Sequence, residues 1–301
     1  MKNSNRFILL MFVLPFVMLS CNEYTEDIDL KMLASVDVTE EQLIDGREAY
    51  QTYCIGCHGE NGDGKGPASK FFVIQPRDFT SGVYKFASVA AGEVPHDVDI
   101  YNAIDRGLAR SSMPSWKFLS ANTKNALVAY LKTFSPDTFS EPPGARLSIP
   151  QNPFAGDEEA ELEAVEQGKA VYHGFTACYS CHPSYASPDE INSYREDIGQ
   201  PARKYNIDLY EEKYSETVWG DTIVAPDFLK RKLKNGNDLQ TLLMTIQAGI
   251  GGTAMPSWAG ILPDEDLWAM AYFVRSLSIQ QGTPQGKISY KENQELKKEI
   301  E

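Results

Sequence analysis

The sequence contains few of the residues that build disulfide frameworks and metal clusters: its 301 residues include five cysteines and four histidines. Four of the cysteines stand in two short motifs and the fifth lies near the amino terminus, so none is left for a framework disulfide. Two of the histidines adjoin the motifs. The other two, His96 and His173, do not lie at the spacing of zinc ligands. The two cysteine motifs are therefore the main candidates for chemistry.

Positive charge is also scarce. Lys and Arg total 28 against 42 Asp and Glu, which gives a formal net charge of −14. Nucleic-acid binding is excluded, because contact with phosphates needs a basic surface. An acidic surface can steer a basic partner protein toward the chain, or it can simply keep an exported protein soluble.

The amino-terminal segment is apolar, but its uncharged run is too short to span a bilayer. Phe7–Leu19 is 13 residues without charge, preceded by Lys2 and Arg6, whereas a transmembrane helix needs about 20 apolar residues. Length and flanking charge indicate a signal peptide over residues 1–20. We therefore expect an exported protein. Removal of the two basic residues would leave the mature chain at −16.

The end of that segment, Met18–Cys21, resembles the lipobox of bacterial lipoproteins. The resemblance implies cleavage before Cys21, acylation of this residue, and a lipidated tether over residues 21–37. An ordinary signal peptide beside a free cysteine is the alternative. The expected location is the periplasmic side of a bacterial membrane. Asn22 is not an acidic retention residue, which mildly favours the outer membrane over the inner one.

The two motifs are CIGCH, Cys54–His58, and CYSCH, Cys178–His182. A C-x-x-C pair can form a disulfide, a redox dithiol, half a zinc site or a covalent haem anchor. The histidine after each pair makes the pattern that of c-type haem attachment. Each thiol adds to one vinyl group of the haem, and the adjacent imidazole is the proximal iron ligand. A redox dithiol would be expected in a βαβ setting, and it would have no need of a histidine after the second cysteine. The sequence therefore predicts two covalent haem c groups, bound through Cys54, Cys57, Cys178 and Cys181, with His58 and His182 as ligands.

The chain repeats around these motifs. Gly46–Tyr50 and Gly168–Tyr172 precede them, and RGLARSSMPSW and AGIGGTAMPSW follow, ending at Trp116 and Trp258. A tyrosine lies 14 residues after each of these tryptophans. Both units thus share one order: helix, C-x-x-C-H, loop, helix, Met-Pro-Ser-Trp, helix.

On these residues each half resembles a class I cytochrome c. The resemblance implies a mostly α fold of two tandem cytochrome c-like helical domains, over residues 38–134 and 157–278, each around one covalent haem. It also implies that Met113 and Met255 are the distal iron ligands. The second unit is 18 residues longer between histidine and methionine, and we expect the extra length around residues 184–222.

The resemblance also implies partners for the proximal histidines. In this family the other ring N–H is often donated to a proline carbonyl in a Gly-Pro pair, and Pro67 matches in the first unit. The second unit has no such pair soon after its motif, which leaves Pro188 or Pro201 as candidates.

Three further side chains are candidates for contact with the haem. Arg77 in QPRDFT can pair with a haem propionate, or it can be an ordinary surface arginine. The related stretch APDFL in the second unit lacks this arginine. Trp116 and Trp258 can donate their indole N–H to a propionate, or they can simply pack in the core.

The remaining segments connect or follow the two units. Residues 135–156 contain five prolines, so they are expected to be an extended, semi-rigid linker. Residues 279–301 are expected to be a charged, solvated and partly helical tail.

Function follows from ligation. An iron held by both His and Met has no free coordination position, so the expected function is electron transfer. The first hypothesis is a membrane-tethered dihaem carrier that relays single electrons between respiratory partners such as a donor complex and an oxidase or reductase. The alternatives are a dihaem enzyme such as a peroxidase, for which His96 and His173 are the only further histidines, and the cytochrome subunit of a larger dehydrogenase or reductase.

Overall fold

A computed structural model describes residues 38–298 and residue 300. The predicted signal peptide, Cys21 and the tether lie outside these residues. The described part is mostly helical, which confirms the expected fold class. Its α-helices are α1 (Glu40–Tyr53), α2 (Ile55–His58), α3 (Asp97–Arg106), α4 (Ala121–Lys132), α5 (Pro136–Phe139), α6 (Glu158–Ala170), α7 (Pro188–Asp197), α8 (Leu239–Ala248), α9 (Asp264–Ser278) and α10 (Pro284–Lys298).

The first helix of each unit begins at a side-chain cap. Thr39 accepts a hydrogen bond from the Gln42 backbone N–H, and the Gln42 side chain accepts one from the Thr39 backbone, which forms a capping box. Asp157 accepts from the first free N–H groups of α6. These local patterns therefore fix where each unit starts.

Each unit is built on a close crossing of its first and last helices, α1 with α4 and α6 with α9. The crossing explains a repeated glycine. A Cβ on Gly46 would collide with the carbonyl of Ala126, and a Cβ on Gly168 would collide with that of Ala269. Close approach of two backbones needs a residue without a side chain.

The buried core of each unit surrounds this crossing. In the first unit it is made by residues of α1, α3 and α4 and includes the fully buried Tyr50 and Leu127. In the second unit it is larger and includes Tyr172, Leu243 and the continuous stretch Leu267–Val274 of α9. Both tyrosines stand four residues after the crossing glycine, one helical turn along the same face.

The extra residues of the second unit form structure of their own. The segment 184–222, where we expected them, contains α7, a 3₁₀ helix (Ile207–Tyr210) and most of a β-hairpin. Its strands, β1 (Tyr214–Glu216) and β2 (Thr222–Val224), pair antiparallel. The hairpin tip carries Trp219.

The proline-rich segment is anchored to both units. After the short α5 its backbone is largely without regular structure, and Leu147 N–H donates to the Ser88 carbonyl of the first unit at 2.7 Å. Its Pro150 carbonyl accepts from the indole N–H of Trp268 in the second unit at 3.3 Å. Hydrogen bonds to both sides, as well as proline stiffness, hold this connection.

The carboxyl-terminal segment is more ordered than a solvated tail. It forms α10, which packs against the 3₁₀ helix Ile207–Tyr210, and Tyr290 and Leu296 contact the second core. Among residues 38–298, none of the helices combines the length and apolar character needed to cross a membrane.

Candidate functional site

Each C-x-x-C-H motif forms one helical turn in its own unit. Cys54 ends α1, and the N–H of His58 donates to the Cys54 carbonyl at 2.9 Å. In the second unit, the N–H of His182 donates to the Cys178 carbonyl, also at 2.9 Å. One turn of helix between first cysteine and histidine places the two cysteines near each other, as attachment to adjacent vinyl groups requires.

The two proximal histidines make the same bond. Nδ1 of His58 donates to the carbonyl of Arg77 at 3.0 Å, and Nδ1 of His182 donates to the carbonyl of Pro226 at 3.0 Å. With the proton on Nδ1, the lone pair of Nε2 is available to a metal. The backbone thus fixes tautomer and ring orientation in both units.

These acceptors differ from those we expected. The prediction that the Pro67 carbonyl holds His58 is wrong, because the Gly66 N–H donates to the Cys57 carbonyl and the Gly-Pro turn packs against the cysteine turn. The candidates Pro188 and Pro201 are wrong for His182. Pro188 begins α7 instead, and the Pro201 carbonyl accepts from Arg195 Nε at 3.0 Å.

The two acceptors share a sequence position. Arg77 and Pro226 each precede an Asp-Phe pair, in QPRDFT and APDFL. The phenylalanine then stacks on the histidine: Phe79 lies 4.5 Å from His58 with an interplanar angle of 21°, and Phe228 lies 4.8 Å from His182 at 27°. The repeated Asp-Phe pair therefore marks the segment that holds each histidine, through a backbone hydrogen bond at Nδ1 and a phenylalanine ring stacked on the imidazole.

Burial shapes the protonation of these groups. It lowers the pKa of His58 and of His182, and so favours the neutral imidazole that a metal requires. It also raises the pKa of Cys54 to about 12 and of Cys178 to about 11. Redox-active C-x-x-C pairs have a lowered thiol pKa, so this environment does not suit a dithiol.

A zinc site finds no support either. In the described part of the chain, no cluster of three or more His, Cys, Asp or Glu side chains has a geometry that would hold a metal ion. The two cysteine pairs are not brought together into one site.

The methionine loops have the same hydrogen bonds in both units. Leu108 N–H donates to the Met113 carbonyl at 3.1 Å, and Ile250 N–H donates to the Met255 carbonyl at 3.2 Å. A hydroxyl two residues before each methionine, from Ser111 or Thr253, accepts its N–H. The loop is therefore a repeated structure that presents a half-buried methionine.

A glycine starts each of these loops. Gly107 ends α3 with φ +67°, and Gly249 ends α8 with φ +77°. This is the left-handed region, where a side chain is strained. A Cβ at either glycine would also approach the proline that follows the methionine, Pro114 or Pro256.

Two buried hydrogen-bond donors of the first unit, on Trp116 and Tyr84, bear on whether this unit suits a haem. The indole Nε1 of Trp116 and the hydroxyl of Tyr84 are buried and, within residues 38–298, have no hydrogen-bond partner. Buried donors without acceptors are costly, and a haem propionate is a strong acceptor. These donors therefore fit the cofactor that the cysteine motif implies.

The side chain of Arg77 has another contact. Its guanidinium lies over the ring of Trp219, 3.6 Å from the centroid, while its carbonyl holds His58. Burial lowers its pKa to about 10. Pairing of Arg77 with a propionate remains a prediction. Trp258 is half-buried beside the second core, and its contact with a haem also remains a prediction.

The two remaining histidines have structural partners. His96 Nε2 donates to the Gly144 carbonyl in the linker at 3.1 Å. His173 is fully buried, donates from Nδ1 to the Lys169 carbonyl at 2.7 Å, and accepts the Tyr185 N–H on Nε2 at 3.1 Å.

Sequence reasoning missed the tyrosines that support the motif turns. Tyr50 donates its hydroxyl to the Gly59 carbonyl at 2.7 Å, and Tyr172 donates to the Pro183 carbonyl at 2.9 Å. Each acceptor directly follows the proximal histidine. The repeated Gly-x-x-x-Tyr stretch was the available indication of this role.

Comparison with known proteins agrees with this description. A family model for "Cytochrome C oxidase, cbb3-type, subunit III" matches residues 41–131 and 163–274, once in each unit. A chain in the solved reducing HAO-like protein complex of Kuenenia stuttgartiensis is 31% identical, with a TM-score of 0.63, covering 80% of this chain and 96% of that chain. The search of curated proteins found no match.

Proposed function

Because the chain belongs to this family of cytochrome c domains, we propose that it is a membrane-tethered dihaem cytochrome c that relays single electrons between redox protein partners. Each unit would hold one haem c, through Cys54 and Cys57 or through Cys178 and Cys181. His58 and Met113 would be the axial ligands in the first unit, and His182 and Met255 in the second.

The observation that carries this proposal is the repetition of both ligand-bearing segments. In each unit the histidine donates from Nδ1 to a backbone carbonyl at 3.0 Å, and in each the methionine sits in a loop with the same hydrogen bonds. When bound, the haem supplies an iron that takes up and releases one electron, at a potential raised by methionine ligation. The chain keeps both imidazoles neutral, fixes their orientation and presents a methionine in each unit.

The structure supports an enzyme less well. A peroxidase-like dihaem enzyme needs one iron with a free position and an acid–base group beside it. Both units instead have equivalent methionine loops, and His96 and His173 are committed to backbone partners elsewhere in the fold.

A role as a subunit of a larger dehydrogenase or reductase is a second candidate, and one comparison favours it. The similar Kuenenia stuttgartiensis chain comes from a multi-protein complex. Purification from detergent-solubilised membranes would test this: a stoichiometric catalytic subunit favours the complex, and isolation of the chain alone favours the mobile carrier.

Anchoring through Cys21 on the periplasmic side of a bacterial membrane is part of the proposal. Its support is the sequence of the first 21 residues alone. Metabolic labelling with a radioactive fatty acid would test it, with Cys21→Ser as the variant expected to lose both label and membrane retention. Density-gradient separation of the membranes would then assign the anchor to the inner or outer membrane.

Spectroscopy of the purified holoprotein tests the ligation. We expect a pyridine haemochrome assay to give two haems per chain. The oxidised protein should show the weak far-red band of methionine-ligated ferric haem, with the intensity expected for two such haems per chain. The reduced protein should not bind carbon monoxide. Carbon monoxide binding by one haem, with half of the band, would overturn the carrier and favour the dihaem enzyme.

A further inference from the structure

The hairpin that the second unit adds ends between the two units. Thr217 N–H donates to the Asp221 carbonyl at 2.8 Å and closes the tip. Trp219 is on that tip, outside the hydrophobic cores of both units. The contacts of this large aromatic ring therefore need an explanation other than burial in one of the two cores.

The ring of Trp219 binds the first unit through three contacts. Its Nε1–H donates to Ser81 Oγ at 2.8 Å. The Arg77 guanidinium lies over its face at 3.6 Å from the centroid, and Lys85 Nζ lies 5.5 Å away. Cations over an indole face are attracted to it, the more so when they are desolvated. Burial of the Lys85 ammonium, with the nearby Arg77 and Lys234, lowers its pKa to about 8.

The hairpin tip also contacts the methionine loop of the second unit. Val218 N–H donates to the Gly252 carbonyl at 3.1 Å, and a Cβ on Gly252 would collide with the Trp219 ring. Gly252 lies three residues before Met255. Next to it, Gly251 N–H donates to the Lys85 carbonyl of the first unit at 3.0 Å.

Trp219 therefore lies between two ligand-bearing segments. On one side is Arg77, whose carbonyl holds His58; on the other is the loop that carries Met255. We propose that Trp219 is the positioning residue that couples the two redox centres, because it fixes their separation and fills the space between them. The inference rests on the proposed function. The step it serves is the transfer of one electron from the reduced unit to the oxidised one, with no proton or co-reactant.

Pulse radiolysis of the holoprotein tests this inference. A pulse delivers one electron per molecule, and absorbance then follows its redistribution between the haems. We expect Trp219→Leu to slow this redistribution by about tenfold, because the rate of electron transfer falls steeply as the two centres move apart, a smaller penalty than the roughly hundredfold that misplacement by one ångström can cost in bond-forming reactions. Both potentials and both methionine bands should remain, which a general structural defect would not allow.

Matched variants separate the ring from the hairpin. Trp219→Phe keeps an aromatic face for Arg77 and should recover most of the rate. Tyr214→Leu changes an exposed residue of the same hairpin, 67% exposed, and should leave the rate unchanged. Ser81→Ala removes only the acceptor of the indole N–H and should slow the transfer by a smaller factor.

The outcomes are distinct from those for the function itself. If the wild-type protein lacks one methionine band, the proposed function fails. If Trp219→Leu has both bands and transfers electrons at the wild-type rate, only the coupling role of Trp219 is overturned. If Trp219→Leu binds fewer than two haems, Ser81→Ala becomes the deciding variant. A wild-type rate of electron transfer in Ser81→Ala would then overturn the coupling role of Trp219.

Discussion

The ring of His182 is stacked on the ring of Phe228, with centroids 4.8 Å apart, while the carbonyl of Pro226, two residues before this phenylalanine, accepts the histidine Nδ1–H. A single short segment thus fixes the histidine by a ring contact and a hydrogen bond. The first unit does the same with Phe79. The orientation of each proximal ligand therefore depends on residues far from its C-x-x-C-H motif.

Phe228→Ala should destabilise the second unit. Phe228 is 6% exposed and contacts Tyr172, Tyr185 and His182. Removing a buried phenylalanine ring costs about 3–5 kcal/mol. Denaturant unfolding followed by circular dichroism measures this, and Phe175→Ala, at a residue that is 55% exposed, is the control. Equal stability of the two variants would contradict the packing described.

Gly168→Ala should also destabilise the protein, although alanine is the better helix former by about 1 kcal/mol. The new Cβ would collide with the Ala269 carbonyl at the crossing of α6 and α9, and overpacking of this kind costs about 1–3 kcal/mol. Glu163→Ala, an exposed site on the same helix, should change stability by less than about 0.5 kcal/mol. A more stable Gly168→Ala variant would show that the helices separate easily.

Acid should weaken the second unit through His173. Burial lowers the pKa of His173 from 6.5 to about 4, because the protonated ring would be desolvated and would lose the Tyr185 N–H that it accepts on Nε2. The unfolded chain binds the proton more readily, so this contribution is complete above pH 6.5 and is lost as the pH falls toward 4. It amounts to about 3 kcal/mol.

Unfolding curves at a series of pH values, for wild type and His173→Gln, isolate this effect. The difference in stability between the two proteins should shrink as the pH falls through this range. A difference that stays constant would mean that His173 is not held neutral.

Replacement of either proposed methionine ligand should affect one haem only. Met113→Ala should remove half of the far-red band, lower the reduction potential of one haem and let that haem bind carbon monoxide, because methionine ligation raises the potential and closes the iron. Met255→Ala should do the same for the other haem. Redox titration and carbon monoxide difference spectra measure these changes.

Met270→Leu is the matched control, since this methionine is buried in the second core at 2% exposure and carries no proposed ligand role. Its spectrum should match that of the wild type. If Met270→Leu lost part of the far-red band and Met255→Ala kept all of it, Met270 would be the ligand and the assignment of Met255 would be wrong.

The repeat shows which features are readable from local sequence. A capping box at Thr39, an acidic cap at Asp157 and a glycine before each methionine loop depend on neighbours only a few residues apart. Backbone preferences and hydrogen bonds over one turn fix such features, so the start of each first helix was predictable.

The partners of the proximal histidines show the opposite case. The acceptor of His58 lies 19 residues along the chain and that of His182 lies 44 residues along. A family rule suggested Pro67, but packing of the Gly-Pro turn decided otherwise. The Asp-Phe repeat was visible in the sequence, yet nothing local says which carbonyl would point at a ring.

The sequence by itself determined two C-x-x-C-H motifs, two methionine loops, a mostly helical fold and an acidic chain, because spacing, glycine positions and composition act locally. Only the tertiary structure decided how the units meet. Trp219 donates a hydrogen bond to Ser81, which lies 138 residues away in the sequence. The proline-rich linker forms hydrogen bonds to both units. Such contacts arise from the packing of whole units, since their energy depends on shape and burial that no short stretch of sequence contains.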